Sequence, residues 1–387
     1  MRRALTASQV FDGTRMHDRA TVVLDREGRI DALLPEGHPL PEAVQGTDLG
    51  QGILAPGLVD LQVNGGGGAM VGAGTDSAQL ARLCAAHANL GACAILPTLI
   101  TDRPDVTRQV IAAGIAAARA GIPGFAGLHL EGPHLDPARS GAHDAALIRP
   151  MTGADLDLLC EAARALPALM VTVAPNTVSP EQIARLSAAG IIVSLGHSDC
   201  TAEQAHRAHL AGARCVTHLY NAMSGMQARA PGLVGAALTT GLVAGIIADG
   251  VHVAPACLQV ALAMKGPEAL FLVSDAMAVA GTAMQGFTLG TREIRRAGGR
   301  LTLADGTLAG ADISLPESLA HLVRLGVRPE RALAMASRIP ADVIGATDRG
   351  RIVPGARGDL VHLGTEMELH AVWLAGAPFR ARNGQQH

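Results

Sequence analysis

Short apolar runs of strand length alternate with alanine-rich segments of helical periodicity along most of this chain. Such alternation is typical of parallel strands joined by crossover helices, because each buried strand needs a helix to cover it. The eight apolar runs are residues 58–63, 92–96, 125–130, 169–174, 191–195, 215–218, 243–248 and 270–274. Segments with helical periodicity lie between most of them, for instance at residues 77–90, 106–120, 153–165, 180–189 and 201–211. Eight strand–helix units in about 300 residues predict an α/β fold, a (β/α)8 TIM-like barrel.

The two ends of the chain follow a different pattern. Both contain short β-like pieces separated by turn signals, such as DREGRI near the start and VPGARGDLVHLG near the end. Chain termini often lie close together at the surface of a domain, so residues 1–54 and 355–387 are predicted to form one small β-sandwich domain and residues 55–354 the barrel. Residues 284–310 look like a β-excursion after the eighth strand, which we expect to lie over the C-terminal face of the barrel.

Composition and charge exclude several classes of partner. The 387 residues are 49% hydrophobic, and 34 acidic and 31 basic residues leave a formal net charge of -3 without a run of like charge. A nucleic-acid partner is therefore not expected. No apolar stretch reaches membrane-spanning length and the start does not have the pattern of a signal peptide, which predicts a cytoplasmic protein without a membrane partner. The six cysteines are scattered and are expected to be reduced.

Ionisable residues stand at the ends of four predicted strands. Strand three ends in HLEGP with Glu131, strand five in SLGHS with His197, strand six in VTHLYNAM with His218, and strand eight in VSDAM with Asp275. A single histidine or aspartate in such a place is often structural. In a (β/α)8 barrel, however, the strand ends meet at one face and carry the catalytic groups, so four in register predict an active site.

Two imidazoles and one carboxylate supply three ligands for one divalent metal ion and leave a position open for water. Zinc is the expected metal, and Fe²⁺, Co²⁺ or Mn²⁺ also suit this ligand set. The metal would lower the pKa of the water, and Asp275 would take the proton of the water and return it to the leaving group. The predicted chemistry is metal-assisted hydrolysis.

Seven motifs carry a resemblance to a known family. The chain contains, in this order, PGLVDLQVNG, HLEGP, GHS, THLYNAM, RAPGLVG, IADGVH and SDAM. Together they resemble the N-acetylglucosamine-6-phosphate deacetylase family of the amidohydrolase superfamily. The resemblance implies hydrolysis of the acetamide of N-acetyl-D-glucosamine 6-phosphate to glucosamine 6-phosphate and acetate, in amino-sugar catabolism. It also implies a small-molecule amino-sugar phosphate as the partner of the site.

The resemblance assigns roles to particular residues. Glu131, His197 and His218 match the metal ligands, and Asp275 matches the catalytic acid and base. The positions that match substrate contacts are Ala142, His143, Asn221, Ala222, Arg229, His252, Leu308, Ala309 and Gly310.

These substrate contacts divide by the part of the sugar phosphate that they meet. His143 matches a residue that holds the acetamide or a sugar hydroxyl, and residues 308–310 match a loop that closes over the sugar. The resemblance implies that the backbone of Asn221 and Ala222 meets the phosphate, together with the side chains of Arg229 and His252. In the resembling enzymes the arginine arrives from the neighbouring subunit, which implies a homodimer.

Two other functions stay open at this point. Deacetylation of N-acetylgalactosamine 6-phosphate differs only in the orientation of one hydroxyl, which the sequence does not resolve. A barrel that has lost catalysis and serves as a binding module belongs to another class of protein. Such a module would typically lack a ligand or the acid/base, whereas this chain retains all four residues.

The first strand departs from the broader superfamily. It reads Asp60-Leu61-Gln62-Val63-Asn64, where many relatives carry a His-x-His pair that binds a further metal. Gln62 and Asn64 are poor metal ligands, so the site is predicted to hold a single metal. The two side chains either hydrogen-bond the metal-bound water or the substrate, or simply end the strand. His129 points by strand alternation to the same side as Glu131 and is a candidate supporting residue for the metal site.

Overall fold

Strands and helices alternate through the computed structural model, which describes residues 2–41 and 44–379. In chain order its strands are β1 (Arg3–Phe11), β2 (Met16–Leu24), β3 (Ile30–Pro35), β4 (Gln45–Asp48), β5 (Ile53–Pro56), β6 (Leu58–Val63), β7 (Gly65–Gly66), β8 (Ala69–Met70), β9 (Ala92–Ile100), β10 (Leu128–Glu131), β11 (Leu169–Val173), β12 (Ile192–Leu195), β13 (Cys215–Val216), β14 (Val243–Ile246), β15 (Leu270–Leu272), β16 (Gly286–Leu289), β17 (Arg292–Ala297), β18 (Arg300–Thr302), β19 (Leu308–Ala311), β20 (Leu360–Leu363), β21 (Leu369–Leu374) and β22 (Ala377–Pro378). Its α-helices are α1 (Ser77–Asn89), α2 (Pro104–Arg119), α3 (Gly153–Ala163), α4 (Pro180–Ala188), α5 (Ala202–Leu210), α6 (Gly232–Thr239), α7 (Pro255–Met264), α8 (Leu315–Arg324), α9 (Pro329–Ala336) and α10 (Arg338–Val343).

Eight parallel strands form a nearly closed barrel in the order β6-β9-β10-β11-β12-β13-β14-β15. Each overlaps one of the eight apolar runs of the sequence, so the predicted (β/α)8 barrel is confirmed. The seam between β15 and β6 is closed beyond the ends of both strands, where the N–H groups of Asn64 and Gly65 donate to the carbonyl of Ala276 at 2.8 and 3.0 Å. Within the seam, the carboxylate of Asp60 accepts the N–H of Ser274 at 3.2 Å. A side chain thus replaces the strand ladder at this point.

Four helices begin with a capping box, in which a Ser or Thr hydroxyl and the side chain three residues later satisfy each other's backbone N–H groups. The caps are Thr152 for α3, Ser179 for α4, Thr201 for α5 and Ser314 for α8. In a βα unit the helix begins at the end of the barrel where the preceding strand finishes. The boxes therefore fix the far ends of the loops that carry the site residues.

Strands from both ends of the chain lie in one eight-stranded sheet, in the order β22-β21-β20-β5-β1-β2-β3 with β4 paired to β1. Its apolar core is shared, since Leu5 and Val22 from the start pack with Leu360 and Trp373 from the end. The predicted domain boundaries stay predictions, and the one after residue 54 falls within β5. Residues 1, 42–43 and 380–387 of the predicted terminal domain lie outside the described residues.

The segment after β15 forms an antiparallel sheet of four strands, β16 to β19, where the sequence predicts a β-excursion. Its small apolar core includes Ile294, Leu301 and Ala309, packed against Met277 and Val279. Arg292 Nη2 donates to the carbonyl of Ala142 at 2.5 Å. This bond ties the excursion to the loop after β10, so both close over the same end of the barrel.

Lys265 follows α7, is 5% exposed and is the only lysine of the chain. Its ammonium donates to three carbonyls at and after the end of α6, those of Ala237 at 2.8 Å, Thr240 at 2.9 Å and Leu242 at 2.6 Å. The last carbonyls of a helix have no partner within the helix. The lysine supplies a hydrogen-bond donor for these carbonyls, and its positive charge interacts favourably with the negative end of the helix dipole.

No helix within residues 2–41 and 44–379 is long and apolar enough to cross a membrane. All six cysteines are free thiols in the structure.

Candidate active site

Three ligand-type side chains converge at the C-terminal rim of the barrel. Glu131 ends β10, and His197 and His218 each follow a strand, β12 and β13, by two residues. The Nε2 atoms of the two histidines lie 3.0 Å apart, and they lie 3.2 and 3.0 Å from Oε1 of Glu131. All three side chains are nearly buried, with exposed fractions of 5%, 5% and 2%.

This triangle of atoms fits a divalent metal ion. Ligands bound tetrahedrally to zinc at about 2.0–2.1 Å lie roughly 3.3 Å from one another, and the observed edges of 3.0–3.2 Å are only slightly shorter. Two imidazoles and a carboxylate also leave a fourth position open, as in catalytic zinc sites. The His/Glu cluster can therefore hold a metal.

Hydrogen bonds to the far nitrogens distinguish His197 from His143. Nδ1 of His197 donates to the carbonyl of Arg139 at 2.8 Å, which leaves the Nε2 lone pair for a metal. His143 lies nearby, with a ligand atom within 4.8 Å of those of Glu131 and His197. Its Nδ1, however, accepts the backbone N–H of Thr101 at 3.2 Å, so the proton is on Nε2. His143 is therefore a hydrogen-bond donor to the cavity and not a ligand.

Burial lowers the pKa of His143 well below its ordinary value, and the charge of the nearby His197 lowers it further. The ring is neutral near pH 7. A neutral imidazole with its proton on Nε2 suits a group that hydrogen-bonds a carbonyl oxygen.

Glu131 is held as a carboxylate. Burial raises its pKa, but hydrogen bonds and charge from His197 and His218 outweigh burial and hold the pKa well below its ordinary value. The amide of Gln62 donates to both carboxylate oxygens at 3.1 Å. Gln62 therefore orients the predicted ligand, a contact that the sequence alone left undetermined.

Asp275, three residues beyond β15, accepts a hydrogen bond from Nδ2 of Asn64 at 2.6 Å. Burial and the negative charge of Glu131 raise the pKa of Asp275 to about 6, although His218 and Asn64 act in the opposite direction. A carboxyl group with a pKa near the working pH can both accept and release a proton, as general acid–base catalysis requires.

The backbone is strained at the same residues. Seven non-glycine residues of the described chain have a positive φ, among them His197 at 45°, His218 at 28° and Asp275 at 49°, with Tyr220 and Ala222 beside them. Left-handed conformations cost non-glycine residues roughly 1–3 kcal/mol each and cluster at functional sites. Five of these seven lie in or next to this site, so the backbone strain of the fold is concentrated where the site residues are positioned.

Below the ligands, buried hydroxyls form a hydrogen-bonded chain across the barrel. Nε2 of His129 lies 2.7 Å from Oγ1 of Thr172, which lies 2.7 Å from Oγ1 of Thr217, and Ser194 continues the chain at 2.6 Å. Nδ1 of His129 donates to the carbonyl of Leu61 at 3.1 Å. His129 thus shares the barrel interior with Glu131, but its hydrogen bonds brace the strands.

A cavity of about 380 Å³ opens onto these groups. The predicted residues that line it are Glu131, Ala142, His143, His197, His218, Asn221, Ala222, His252, Asp275, Leu308 and Gly310. Sequence reasoning missed other lining residues, namely Ile100, Ala138, Arg139, Gly141, Met277 and Thr307. Sequence position could have indicated two of them, because Gly141 directly precedes Ala142 and Thr307 directly precedes Leu308.

Two predicted substrate contacts do not line this cavity. The side chain of Ala309 is fully buried in the core of the β16–β19 sheet, because strand alternation turns it away from the cavity that Leu308 and Gly310 face. Arg229 is exposed and makes no hydrogen bond or ion pair with any described residue of its own chain. It therefore does not contribute to the cavity of its own chain.

An eight-stranded parallel barrel with a His/Glu cluster for a metal and a carboxylate beside it defines a class of hydrolases. Comparison with known proteins agrees with this class and narrows it. The model of the amidohydrolase family matches residues 53–379, and the chain belongs to this family.

Relatives in the family are deacetylases by name. N-acetylgalactosamine-6-phosphate deacetylase of Shewanella sp. (strain ANA-3) is 38% identical over 330 residues, which cover 85% of this chain and 83% of the relative. N-acetylglucosamine-6-phosphate deacetylase of Homo sapiens is 35% identical over 348 residues, with coverage of 85% and 84%.

Solved structures resemble the whole chain. The crystal structure of N-acetylglucosamine-6-phosphate deacetylase from Pasteurella multocida has a TM-score of 0.93 and 30% identity, covering 98% of this chain and all of the other. A variant of the Mycobacterium smegmatis enzyme, in complex with N-acetyl-D-glucosamine-6-phosphate, has a TM-score of 0.90 and 31% identity, with coverage of 97% and 99%.

Proposed function

We propose that this protein is a metal-dependent deacetylase that hydrolyses the acetamide of N-acetyl-D-glucosamine 6-phosphate, giving glucosamine 6-phosphate and acetate in amino-sugar catabolism. One observation carries the proposal: the convergence of Glu131, His197 and His218 with Asp275 in a single cavity. N-acetylgalactosamine 6-phosphate is the second candidate substrate, because the Shewanella relative is named for it.

In this proposal Glu131, His197 and His218 hold one divalent metal, and Zn²⁺ is the candidate that the ligand set favours. Such a metal, when bound, supplies Lewis acidity that polarises a carbonyl oxygen and lowers the pKa of a water molecule. Gln62 and Asn64 occupy the positions that would carry a second metal in other members of the superfamily. Their hydrogen bonds to Glu131 and Asp275 support a single-metal site.

The chain's own side chains then move the protons. Asp275 accepts the proton of the attacking water and delivers it to the departing amine nitrogen, so one carboxyl group serves as base and then as acid. The Nε2–H of His143 donates to the acetamide carbonyl oxygen as negative charge develops there. Asn64 keeps the carboxylate of Asp275 in one orientation between the two proton transfers.

Recognition of the 6-phosphate is assigned to the part of the cavity that Asn221, Ala222 and His252 line. Asn221 and Ala222 lie three and four residues after His218 and line this part of the cavity. The backbone N–H of Asn221 donates to the carbonyl of His218 at 3.0 Å, so the donors assigned to the phosphate are the backbone N–H of Ala222 and a ring N–H of His252. Leu308 and Gly310, from the β16–β19 sheet, cover the sugar, with Ala309 contributing at most its backbone. Ala142 stands beside His143 and is tied to the same sheet through Arg292.

A homodimer is part of the proposal, with Arg229 reaching the phosphate in the neighbouring subunit. The support is that Arg229 is exposed and unpaired among the described residues. A groove of about 610 Å³ lies beside it, lined by apolar residues that include Pro231 and Met226, the latter 58% exposed. A second copy of the chain would cover this apolar surface.

We place the enzyme in the cytoplasm. A sugar phosphate carries charge that keeps it on one side of a membrane, and the six free cysteines suit a reducing compartment. A non-catalytic binding module is not favoured, because the acid/base residue and all three ligand residues converge in one cavity.

Acetate release from both sugar phosphates tests the proposal, with metal analysis of the same preparation. We expect turnover of at least one substrate and one equivalent of metal per chain. The Glu131→Gln variant is the matched control, because it preserves the size of the side chain while removing the ligand charge. Wild-type protein that binds metal but releases no acetate from either substrate would exclude the proposed activity.

A further inference from the structure

The turn after β14 contains an aspartate and a histidine that bind each other. Oδ2 of Asp249 lies 2.6 Å from Nδ1 of His252, and the two side chains are only 5% and 6% exposed. Oδ1 of Asp249 accepts the backbone N–H groups of Val251 at 2.8 Å and His252 at 2.7 Å. The motif IADGVH thus folds as a turn around its own carboxylate.

Only one member of this pair reaches the cavity. His252 lines it, whereas Asp249 does not and therefore stands behind the histidine. Burial raises the pKa of Asp249, but the hydrogen bond and charge of His252 outweigh it and lower the pKa below its ordinary value. The carboxylate therefore stays ionised beside the ring.

The hydrogen bond between Asp249 and His252 determines which ring nitrogen of His252 faces the cavity. Because Nδ1 is bound by a carboxylate, Nε2 is the nitrogen left for a ligand. When an anionic oxygen also meets Nε2, the ring lies between two anions and donates to both, with one proton on each nitrogen. Such a ring donates a charge-assisted hydrogen bond to an anionic oxygen.

No arginine that lines the cavity is free to take this part. Arg139 is the only described arginine in the cavity wall, and its guanidinium is paired with Asp199 at 2.7 Å. This leaves His252 as the candidate for contact with an anion among the residues that line the cavity.

We propose that Asp249 is a positioning residue for phosphate recognition, which holds His252 with its Nε2–H directed at the 6-phosphate of the substrate. The inference rests on the proposed function. It adds a role for a residue outside the cavity, because Asp249 acts through His252 and touches no substrate atom.

The test compares substrates with and without the phosphate. In Asp249→Asn, the amide oxygen can still accept the two backbone N–H groups, but the charge next to the ring is lost. We expect KM for the sugar 6-phosphate to rise about 10- to 100-fold with kcat nearly unchanged, since hydrogen bonds to charged groups have this worth. We expect kcat/KM for unphosphorylated N-acetylglucosamine to stay at the wild-type value.

The chain contains a matched control pair far from the site. Oδ2 of Asp12 lies 2.6 Å from Nε2 of His17, and Oδ1 of Asp12 accepts the N–H groups of Thr14 and Arg15 at 2.8 and 2.9 Å. The Asp12→Asn variant therefore removes a similar pair from the terminal sheet. This variant should have wild-type kcat and KM for both substrates.

Calorimetric titration with glucosamine 6-phosphate and with glucosamine gives a readout apart from turnover. Asp249→Asn should weaken binding of the phosphorylated amine only, and Asp249→Ser, which retains a hydroxyl acceptor for the turn, serves if the first variant does not fold. An equal loss for both ligands and both substrates, or no rise in KM for the sugar phosphate, would overturn the inference. Absence of acetate release by the wild type would instead overturn the proposed function.

Discussion

Four histidines line the cavity, and for two of them the backbone group behind the ring determines the chemistry. The carbonyl of Arg139 accepts a hydrogen bond from Nδ1–H of His197, which leaves Nε2 of that ring unprotonated, whereas the N–H of Thr101 donates to Nδ1 of His143, which places the proton on Nε2. The first arrangement suits a metal ligand and the second suits a donor to an oxyanion. Residue type alone does not separate these roles, because both depend on a backbone group distant in sequence.

Asp275 is the residue on which turnover depends most directly. In Asp275→Asn the amide cannot accept a proton, so we expect kcat to fall by at least about 10²–10⁴-fold, the usual contribution of a general acid–base. The three ligand residues are untouched, so metal content measured by atomic absorption should equal that of the wild type. Near-normal activity in this variant would show that another group moves the proton.

The pKa of Asp275 sets the acidic side of the pH profile. Its folded-state pKa is raised to about 6, and the base form is needed, so kcat should fall as the pH drops through that region. Asn64 lowers this pKa through its hydrogen bond, so Asn64→Ala should move the acidic limb to higher pH. Stopped assays between pH 5 and 8 measure the shift. A limb that stays in place would mean that Asn64 does not act on Asp275.

The sequence predicted the identity of the chemical residues but not their supports. Strand ends and motif order indicated Glu131, His197, His218 and Asp275. The partners of Gln62 and Asn64 stayed undetermined, because a strand that ends at the rim can face a ligand, a substrate or solvent. The positive φ angles were also not predictable, since even Asp and His, which adopt them more often than most non-glycine residues, do so at only a few positions.

At the scale of elements, the barrel was predictable because a buried parallel strand reads as a continuous apolar run. Three of the predicted runs extend past the C-terminal ends of the observed strands. Residues 215–218, 243–248 and 270–274 correspond to strands that end at Val216, Ile246 and Leu272. Beyond these points the chain is still buried but no longer pairs with a neighbouring strand, because it turns to present site residues. An apolar run therefore extends further than the strand it predicts. Helix α6 is not among the helical segments named from the sequence, because it is buried on nearly all sides and shows no amphipathic period.

Helix α6 follows directly after the segment that carries Arg229, and Lys265 holds its other end. Lys265→Met keeps the length of the side chain but leaves three carbonyls without their donor, at a cost of about 2–3 kcal/mol in the free energy of unfolding. Urea unfolding followed by circular dichroism measures the change. An Arg331→Met variant, which also loses bonds to buried carbonyls but not those of α6, is the comparison. A stability equal to wild type would show that water satisfies these carbonyls equally well.

At the scale of the whole molecule, the proposed dimer makes each active site a product of two chains. Arg229→Ala and Asp275→Asn are each expected to be poorly active alone. In a mixed dimer, the subunit that keeps Asp275 receives Arg229 from its partner and regains activity, so an equal mixture should recover about a quarter of wild-type turnover. Coexpression with two affinity tags gives the mixture.

The control for this mixing experiment pairs Arg229→Ala with the double variant Arg229→Ala, Asp275→Asn, which has no intact arginine to lend. It should recover nothing. The shared site would be ruled out if the mixture of Arg229→Ala and Asp275→Asn recovered no activity. It would also be ruled out if light scattering showed that the wild-type protein is a monomer.

The terminal sheet shows what a sequence reveals about a whole chain. Turn signals at both ends predicted that they belong together, and the shared core of Leu5, Val22, Leu360 and Trp373 agrees with this. The register of β5 between β1 and β20 was not predictable, because the β5–β20 pairs join residues about 300 positions apart.

The single buried lysine also provides a chemical probe for local opening of the protein at α6. The other cationic side chains of the chain are arginines and histidines, so a reagent specific for side-chain amines finds one target, and that target is enclosed while α6 is docked. The rate of amine modification then follows the opening of one helix end, without any engineered probe. Modification in the presence of a substrate analogue would reveal whether an occupied cavity restrains a helix that begins just beyond Arg229.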